Sequence, residues 1–198
     1  GSAINQDGRS TVLTAPNGRA QVADVRAALE AGGVQPEQIS HIEAHGTGTL
    51  LGDPIEVEAL AEVLAAADDA APALPCALTS VKTNLGHLEA AAGLAGLIKV
   101  ILSLQHEAIP PHLHLQQLNP HIHLAGTRLF VPTQLTPWPA GPAPRLAGVS
   151  SFGIGGANAH VVVSEPPALP QSTAGQSTAG QAAAAGPWLL PLSARSPQ

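Results

Sequence analysis

The segment at residues 90–105 constrains the fold more than any other part of the sequence. Its side chains are apolar on nearly every side of a helix, and Lys99 is the one charge among them. Gly93 and Gly96 leave room for a neighbouring backbone to approach closely. The apolar run is about 15 residues long, which is shorter than the ~20 needed to span a bilayer. Such a helix predicts a central, buried position in a layered protein.

Composition argues against several classes of function. The chain has 198 residues, enough for one domain with a substantial core. Its apolar residues are mainly Ala, Leu and Val. Only two Phe, two Trp and no Tyr are available to line an aromatic pocket or to stack on bases. The formal charge of −6 leaves no basic stripe to neutralise phosphates, so we do not expect nucleic-acid binding.

The chain also carries signals about its origin. Cys76 is the single cysteine, so no intrachain disulfide can form. Nothing in the sequence resembles a signal peptide, and we expect a cytoplasmic protein. Methionine is absent altogether, and residues 1–8 read as native sequence. We therefore expect the chain to be a piece of a longer polypeptide.

Strand and helix patterns alternate up to about residue 166, which is typical of an α/β domain. Asp53 as N-cap, followed by Pro54, indicates a helix start. Beyond residue 166, a tandem Gln-Ser-Thr-Ala-Gly repeat and an alanine run predict a flexible linker at 167–187, and apolar character returns at 188–198. Strands are predicted at 39–44, 77–81, 145–151 and 159–164, and helices at 22–31, from Asp53 to about residue 67, and at 90–105.

Three segments place polar residues after a predicted strand, where α/β proteins build their sites. His45 lies in a turn of glycines and threonines that a ligand could approach; the alternative is a tight turn with a hydrogen-bonded surface histidine. Lys82 and His87 offer a positive charge and an imidazole near one helix; the alternative is a solvated lysine and a capping histidine. Glycines at 153–156 allow backbone N–H groups to converge on a developing negative charge, or simply form a glycine-rich hairpin.

Taken together, the spacing of His45, Lys82, His87 and the glycine-rich turn resembles the C-terminal half of the β-ketoacyl synthases, in the form found in multi-domain polyketide synthases. The resemblance implies an α/β chain that forms the C-terminal half of a thiolase-like layered α-β-α-β-α fold. It covers residues 1 to about 166, and the tail at 188–198 resembles the start of that family's linker toward an acyltransferase domain. The matching stretches are 1–8, 13–17, 43–56, 80–93 and 150–160.

The resemblance implies a decarboxylative Claisen condensation. In that family a cysteine thiolate takes an acyl chain, a malonyl-type extender loses CO₂, and its enolate attacks to give a β-ketoacyl thioester. His45 and His87 would donate hydrogen bonds to the enolate oxygen. Lys82, paired with Glu56, would orient the site without acting as a base.

Other positions would support the site by the same resemblance. The backbone N–H of Ile154 would be an oxyanion-hole donor, where many relatives have Phe. Thr47 and Thr49 would hydrogen-bond the phosphopantetheine arm of thioesters delivered by an acyl carrier protein, with no cofactor bound covalently in this chain. Asp53 and Asn158 are expected to support these groups.

The family's nucleophilic cysteine has no counterpart in this sequence. Cys76 lacks the small-residue elbow of those nucleophiles, so we expect a buried structural thiol and no activity from this chain alone. The expected partners are the upstream N-terminal half of the same ketosynthase, the carrier protein, a downstream acyltransferase domain and a second copy in a homodimer. One alternative is a non-catalytic or decarboxylation-only partner. A thiolase-type degradative enzyme is disfavoured because it needs a second cysteine near its C-terminus.

The histidine pairs His112/His114 and His121/His123 also raise the possibility of a zinc site. No cysteine or acidic residue lies among them, and the stretch from residue 109 to 121 resembles a structural loop of the same family. We therefore expect no metal site.

Overall fold

The computed structural model describes residues 1–8, 15–65 and 74–167. The helices are α1 (Gly18–Gly32), α2 (Gly52–Val63), α3 (Lys82–Leu85) and α4 (Ala92–Gln105), with 3-10 turns at Pro36–Gln38 and Glu89–Ala91. The strands are β1 (Ser2–Gln6), β2 (Ile39–Glu43), β3 (Cys76–Thr79), β4 (Ala108–Ile109), β5 (Leu129–Phe130), β6 (Thr136–Pro137), β7 (Leu146–Phe152) and β8 (Ala157–Ser164).

A mixed sheet organises these elements. Its six strands run in the order β1-β8-β7-β2-β3-β5. Strands β7, β2, β3 and β5 are parallel, whereas β8 is antiparallel to both β7 and β1. In this register Glu43 on β2 lies between Val149 on β7 and Thr79 on β3. The three central strands therefore end side by side, and the loops that follow them meet at one edge.

Helices cover both faces of this sheet. Ile42 on β2 belongs to the core formed with α1 and α2, whereas its neighbours His41 and Glu43 point to the other face, where α4 packs. Successive side chains of a strand alternate between faces, so this division follows from the pleat. Val100 and Leu104 of α4 join the second core. The result is a helix–sheet–helix arrangement.

Helix α1 has well-formed ends. The Asn17 side chain accepts hydrogen bonds from the backbone N–H groups of Arg19 and Ala20, which caps the N-terminus. Gly33, with φ of 62°, ends the helix in the left-handed conformation that favours glycine. The predicted helix at 22–31 is thus confirmed and extended at its N-terminal end.

Helix α4 corrects one prediction. The sequence predicts burial on nearly all sides, but only one face is buried, against the sheet. Leu94 is 64% exposed and Ile98 is 56% exposed on the other face, and Leu102 is also exposed. The sheet covers one side of a helix, and no element among residues 1–8, 15–65 and 74–167 covers the opposite side. We call the exposed side, with Leu85, Leu88, Leu94, Ile98, Leu102 and Leu135, the apolar face.

Helix α2 differs from its predicted bounds at both ends. It begins at Gly52 with Leu51 as N-cap, so Asp53 lies in the first turn and is not the N-cap. It ends at Val63, four residues earlier than predicted, and residues 66–73 lie outside the described part of the chain. The predicted linker and the tail at 188–198 also lie outside it, apart from Pro167, and stay predictions. None of the helices that the structure describes has the length and apolar character needed to cross a bilayer.

Candidate active site

The loops after β2, β3 and β7 bring together the three segments singled out in the sequence. His45 follows β2, Lys82 opens α3 after β3, and Phe152 ends β7. The ring centroids of His45 and His87 are 5.6 Å apart at an interplanar angle of 82°. The Phe152 ring lies 5.4 Å from that of His45. The predicted convergence of the two histidines and the glycine-rich turn is observed.

A backbone donor sets the tautomer of His45. The N–H of Phe152 donates to His45 Nδ1 at 3.2 Å, so in the neutral ring the proton lies on Nε2. Burial, with the charges of Lys82 and His87 acting in the same direction, lowers the pKa of His45 to about 4. The imidazole is therefore neutral near pH 7 and presents an Nε2–H donor.

The second imidazole is held in the same way. The N–H of Glu89 donates to His87 Nδ1 at 2.9 Å, which places the proton of the neutral ring on Nε2. Neither Nε2 atom has a hydrogen-bond partner within the described ranges of the chain. His45 and His87 can thus both donate to one ligand oxygen.

Glu56 anchors the main chain that carries His45. Its carboxylate, 4% exposed, accepts the N–H of His45 at 2.7 Å and that of Gly46 at 2.9 Å. Burial raises the pKa of Glu56 to about 7, against the opposing effect of these two donors. Gly46 has φ of 49°, and a Cβ there would lie 2.9 Å from Ser80 Cβ. The turn therefore requires glycine at this position.

The predicted Lys82–Glu56 ion pair does not form. Both Glu56 oxygens bind backbone N–H groups, and Lys82 has no ion pair among the residues the structure places. Burial lowers the pKa of Lys82, while the charges of Glu56, Glu43 and Asp53 oppose that shift. Lys82 is half-buried and supplies positive potential through space. Asp53 is likewise occupied, because it accepts the N–H of Gly48 at 3.0 Å.

The remaining predicted residues occupy different surroundings. Thr47 lines a cavity of about 570 Å³ together with Asp53, Glu56 and Lys82. Thr49 is exposed, and its hydroxyl accepts the N–H of Gly52. Ile154 is 84% exposed in the turn between β7 and β8, and its N–H has no partner in the described ranges. Buried Asn158 donates to Asn5 and Asp7, and so ties β8 to β1.

Sequence reasoning missed a buried polar network directly beneath these loops. Lys99 Nζ lies 2.7 Å from both Glu43 Oε2 and Thr79 Oγ1. The Thr79 hydroxyl donates to Glu43 at 2.9 Å, and His41 Nε2 lies 2.9 Å from the same hydroxyl. The sequence offered one signal, a lone lysine within an apolar helix.

Two other candidates lie apart from this chemistry. Cys76 begins β3, and burial raises the pKa of its thiol to about 12, so it is unsuited to act as a thiolate. The described residues contain no group of three or more His, Cys, Asp or Glu side chains that could hold a metal ion.

Two imidazoles, a lysine and a glycine-rich turn lie at the ends of parallel strands, an arrangement whose N–H donors can stabilise a developing negative charge. Residues 1–116 match a family model described as "Beta-ketoacyl synthase, C-terminal domain", and residues 119–198 match "Ketoacyl-synthetase C-terminal extension". The chain belongs to the β-ketoacyl synthase family, as the C-terminal part of a ketosynthase domain of the modular polyketide synthase type.

Relatives of known sequence are large polyketide synthase polypeptides. The chain is 55% identical over 179 residues to one phenolphthiocerol/phthiocerol polyketide synthase polypeptide of Mycobacterium tuberculosis, covering 90% of this chain and 11% of that protein. It is 53% identical over 175 residues to another polypeptide of the same synthase, covering 88% and 10% respectively. The chain thus spans about a tenth of the length of these curated relatives.

Solved ketosynthases share the fold. The ketosynthase from module 6 of the bacillaene synthase of Bacillus subtilis 168 is 46% identical, with a TM-score of 0.78 over 84% of this chain and 30% of that chain. An oxazolomycin ketosynthase domain from Streptomyces albus JA3453 is 40% identical, with a TM-score of 0.78 over 85% and 31%. The predicted thiolase-like fold class is confirmed.

Proposed function

We propose that this chain supplies the enolate-stabilising half of a ketosynthase active site, which condenses a malonyl-type extender with an acyl thioester. The observation that carries the proposal is the pair of imidazoles whose Nδ1 atoms each accept a backbone N–H. Each ring is left with an Nε2–H donor, and the rings lie 5.6 Å apart. One thioester oxygen between them would accept both hydrogen bonds.

The two donors act where charge develops. When the extender loses CO₂, the electron pair of the broken C–C bond moves to the α-carbon and is delocalised onto the thioester oxygen. His45 and His87 stabilise that enolate oxygen without giving up a proton. The α-carbon then attacks the acyl-enzyme carbonyl, a C–C bond forms, and the cysteine leaves as thiolate. Donors in a desolvated site contribute about 3 kcal/mol each.

The surrounding residues have supporting roles in this proposal. Lys82 contributes positive potential near the extender. The unpartnered N–H of Ile154 donates to the acyl carbonyl oxygen of the acyl-enzyme. Thr47 and Thr49 bind the phosphopantetheine arm, which an acyl carrier protein delivers. Asn158 acts at one remove, by tying β8 to β1.

The nucleophilic cysteine and the missing cover come from the N-terminal half of the same domain. Two observations support this: the apolar face is exposed, and solved ketosynthase chains are about three times longer than the part this chain matches (30%). The chain alone would therefore be inactive. In the whole cytoplasmic protein we place an acyltransferase domain after the linker and a second copy across a dimer interface.

The test uses a complete ketosynthase domain that contains this chain. His45→Ala and His87→Ala are compared with His123→Ala, which removes an exposed histidine that does not line the cavity beside the site. Three readouts are separated: cysteine acylation by mass spectrometry, CO₂ release from a malonyl thioester, and formation of β-ketoacyl product. We expect a loss of about 10²–10³-fold in condensation for each donor, with acylation retained.

The outcomes are distinct. Unchanged condensation in either site variant would show that the assigned role is wrong. CO₂ release without condensed product in the parent domain would instead identify the decarboxylation-only alternative.

A further inference from the structure

A buried ion pair lies directly below the proposed active site. The side chains of Lys99 and Glu43 are 8% and 2% exposed, and their charged atoms are 2.7 Å apart. Thr79 completes the cluster: its hydroxyl donates to Glu43 and accepts from Lys99. Buried ion pairs of this kind are often no more stabilising than apolar side chains of similar size. Stability alone therefore does not account for the pair.

Glu43 connects the two strands that carry the site. It is the last residue of β2, two positions before His45. Its second carboxylate oxygen accepts the N–H of Val81, which precedes Lys82 at the end of β3. One carboxylate thus spans the ends of β2 and β3. The carboxylate therefore links the loop bearing His45 to the loop bearing Lys82.

The helix on the other side of the pair is shaped to hold it. Lys99 reaches Glu43 from the buried face of α4, and Gly96 lies one turn earlier on that face. A Cβ at Gly96 would lie 2.9 Å from Glu43 Cγ. The absence of a side chain there lets α4 approach closely enough for the lysine to reach.

The hydrogen bonds also fix the protonation pattern of the cluster. The Thr79 hydroxyl uses its proton toward Glu43, so it accepts from His41 Nε2–H as well as from Lys99. His41 Nδ1 has no partner, in keeping with that tautomer. Glu43 accepts from three donors: the Thr79 hydroxyl, the Val81 N–H and the Lys99 ammonium.

We propose that Lys99 is a positioning residue for the condensation: its ammonium holds the Glu43 carboxylate in place across the ends of β2 and β3, which sets the spacing of His45 from Lys82 and His87. The inference rests on the proposed function of the two histidines. Without Lys99, the buried carboxylate would lose its cationic partner and turn away, and the loops would relax. A displacement near 1 Å in such a site costs about 100-fold in rate.

The experiment uses the complete ketosynthase domain and reads acylation and decarboxylation separately. Lys99→Met removes the charge at similar volume. Ser103→Ala is the matched control, because Ser103 is buried one turn further along α4. Its hydroxyl donates to the main-chain carbonyl oxygen of Lys99 and not to the ammonium. We expect Lys99→Met to lower kcat for decarboxylation by about 10- to 100-fold while cysteine acylation and KM for the extender change less than about two-fold.

A double variant covers the case in which a lone buried carboxylate prevents folding. Lys99→Met with Glu43→Gln leaves no unpaired charge, and the Gln oxygen can still accept the Val81 N–H. We expect the logarithm of kcat for decarboxylation in this variant to recover at least a third of the decrease seen in Lys99→Met. If the double variant loses as much decarboxylation as Lys99→Met or more, the positioning role of Lys99 is wrong.

Three other results also overturn the proposal: decarboxylation within two-fold of the parent in Lys99→Met, an equal loss of acylation and decarboxylation in that variant, or an equal loss of decarboxylation in Ser103→Ala. His45→Ala is run beside these variants. If His45→Ala retains decarboxylation, the proposed function itself is wrong. If it loses decarboxylation while Lys99→Met does not, only the positioning role is wrong.

Discussion

Gly46 and Gly48 form a matched pair that separates backbone strain from side-chain overlap in the His45 turn. Both have positive φ, 49° and 75° respectively. A Cβ on Gly46 would lie 2.9 Å from Ser80 Cβ and 3.0 Å from its hydroxyl oxygen, whereas a Cβ on Gly48 would meet nothing within 4 Å. Alanine at the two positions therefore differs chiefly in one steric contact.

The expected magnitudes follow from these distances. Placing alanine in the left-handed region costs about 1–2 kcal/mol, and this applies to both variants. Alanine also reduces the entropy of the unfolded chain, which offsets about 0.4–1 kcal/mol of that cost. Overlap with Ser80 adds about 1–3 kcal/mol for Gly46→Ala alone. We expect the free energy of unfolding to fall by about 1 kcal/mol in Gly48→Ala and by about 2–4 kcal/mol in Gly46→Ala.

Denaturant unfolding of the complete ketosynthase domain measures the difference. The same proteins are assayed for condensation, since the Gly46 N–H is bound by Glu56 next to His45. Gly46→Ala should reduce condensation by at least ten-fold, and Gly48→Ala much less. A third variant, Gly46→Ala/Ser80→Gly, tests the overlap directly. Removing the Ser80 side chain should recover part of the unfolding free energy that Gly46→Ala loses. Equal destabilisation by Gly46→Ala and Gly48→Ala would refute the steric reasoning.

Three further predictions concern the protonation of Glu56, the protonation of His45 and the exposure of the apolar face. The folded pKa of Glu56, about 7, exceeds its ordinary 4.5, so this group's contribution to stability is present at low pH and is lost as pH rises through the window 4.5–7. Between pH 4.5 and 7.5 the free energy of unfolding of the parent domain should therefore fall by about 3 kcal/mol more than that of Glu56→Gln. Glu58→Gln, an exposed control on the same helix, should behave as the parent. Identical pH profiles of unfolding free energy for the parent and Glu56→Gln would contradict this. Because the pKa of His45 is lowered to about 4, kcat for decarboxylation should show no inflection from His45 between pH 5 and 8 and should fall below about pH 5, and an inflection near 6.5 that tracks His45 would oppose the assignment. Residues 1–198 expressed alone should bind a hydrophobic dye strongly, and Ile98→Glu on the apolar face should weaken that binding; a sharp, cooperative melt with no dye binding would show that the face needs no partner.

Local patterns predicted the fold where one segment decides its own structure. The strands at 39–44 and 145–151 and the helix at 22–31 are found within a few residues of their predicted bounds. The meeting of His45 and His87 was also predictable, because loops after neighbouring parallel strands share one edge of a sheet. The resemblance to the ketosynthases independently predicts that the two histidines share one site.

Contacts between residues that are far apart in the chain could not be predicted from the sequence. Lys99 and Glu43 are far apart in the chain, and only the packing of α4 on β2 reveals that they pair. The predicted Lys82–Glu56 ion pair is not observed; instead, both Glu56 oxygens accept backbone N–H groups, which carry no sequence signal. The half-exposed state of α4 depends equally on which parts of a fold are present, and side-chain periodicity contains no such information.

The backbone donors to His45 and His87 have a consequence for how this site can diversify. A main-chain N–H is supplied by every amino acid except proline, so the side chains at 89 and 152 can change without altering either imidazole's tautomer. Substitutions at these positions can change the surroundings of the two imidazoles while both backbone donors persist. Across related synthases, proline should therefore be absent from both positions, and at position 89, where φ is 50°, β-branched residues should also be rare.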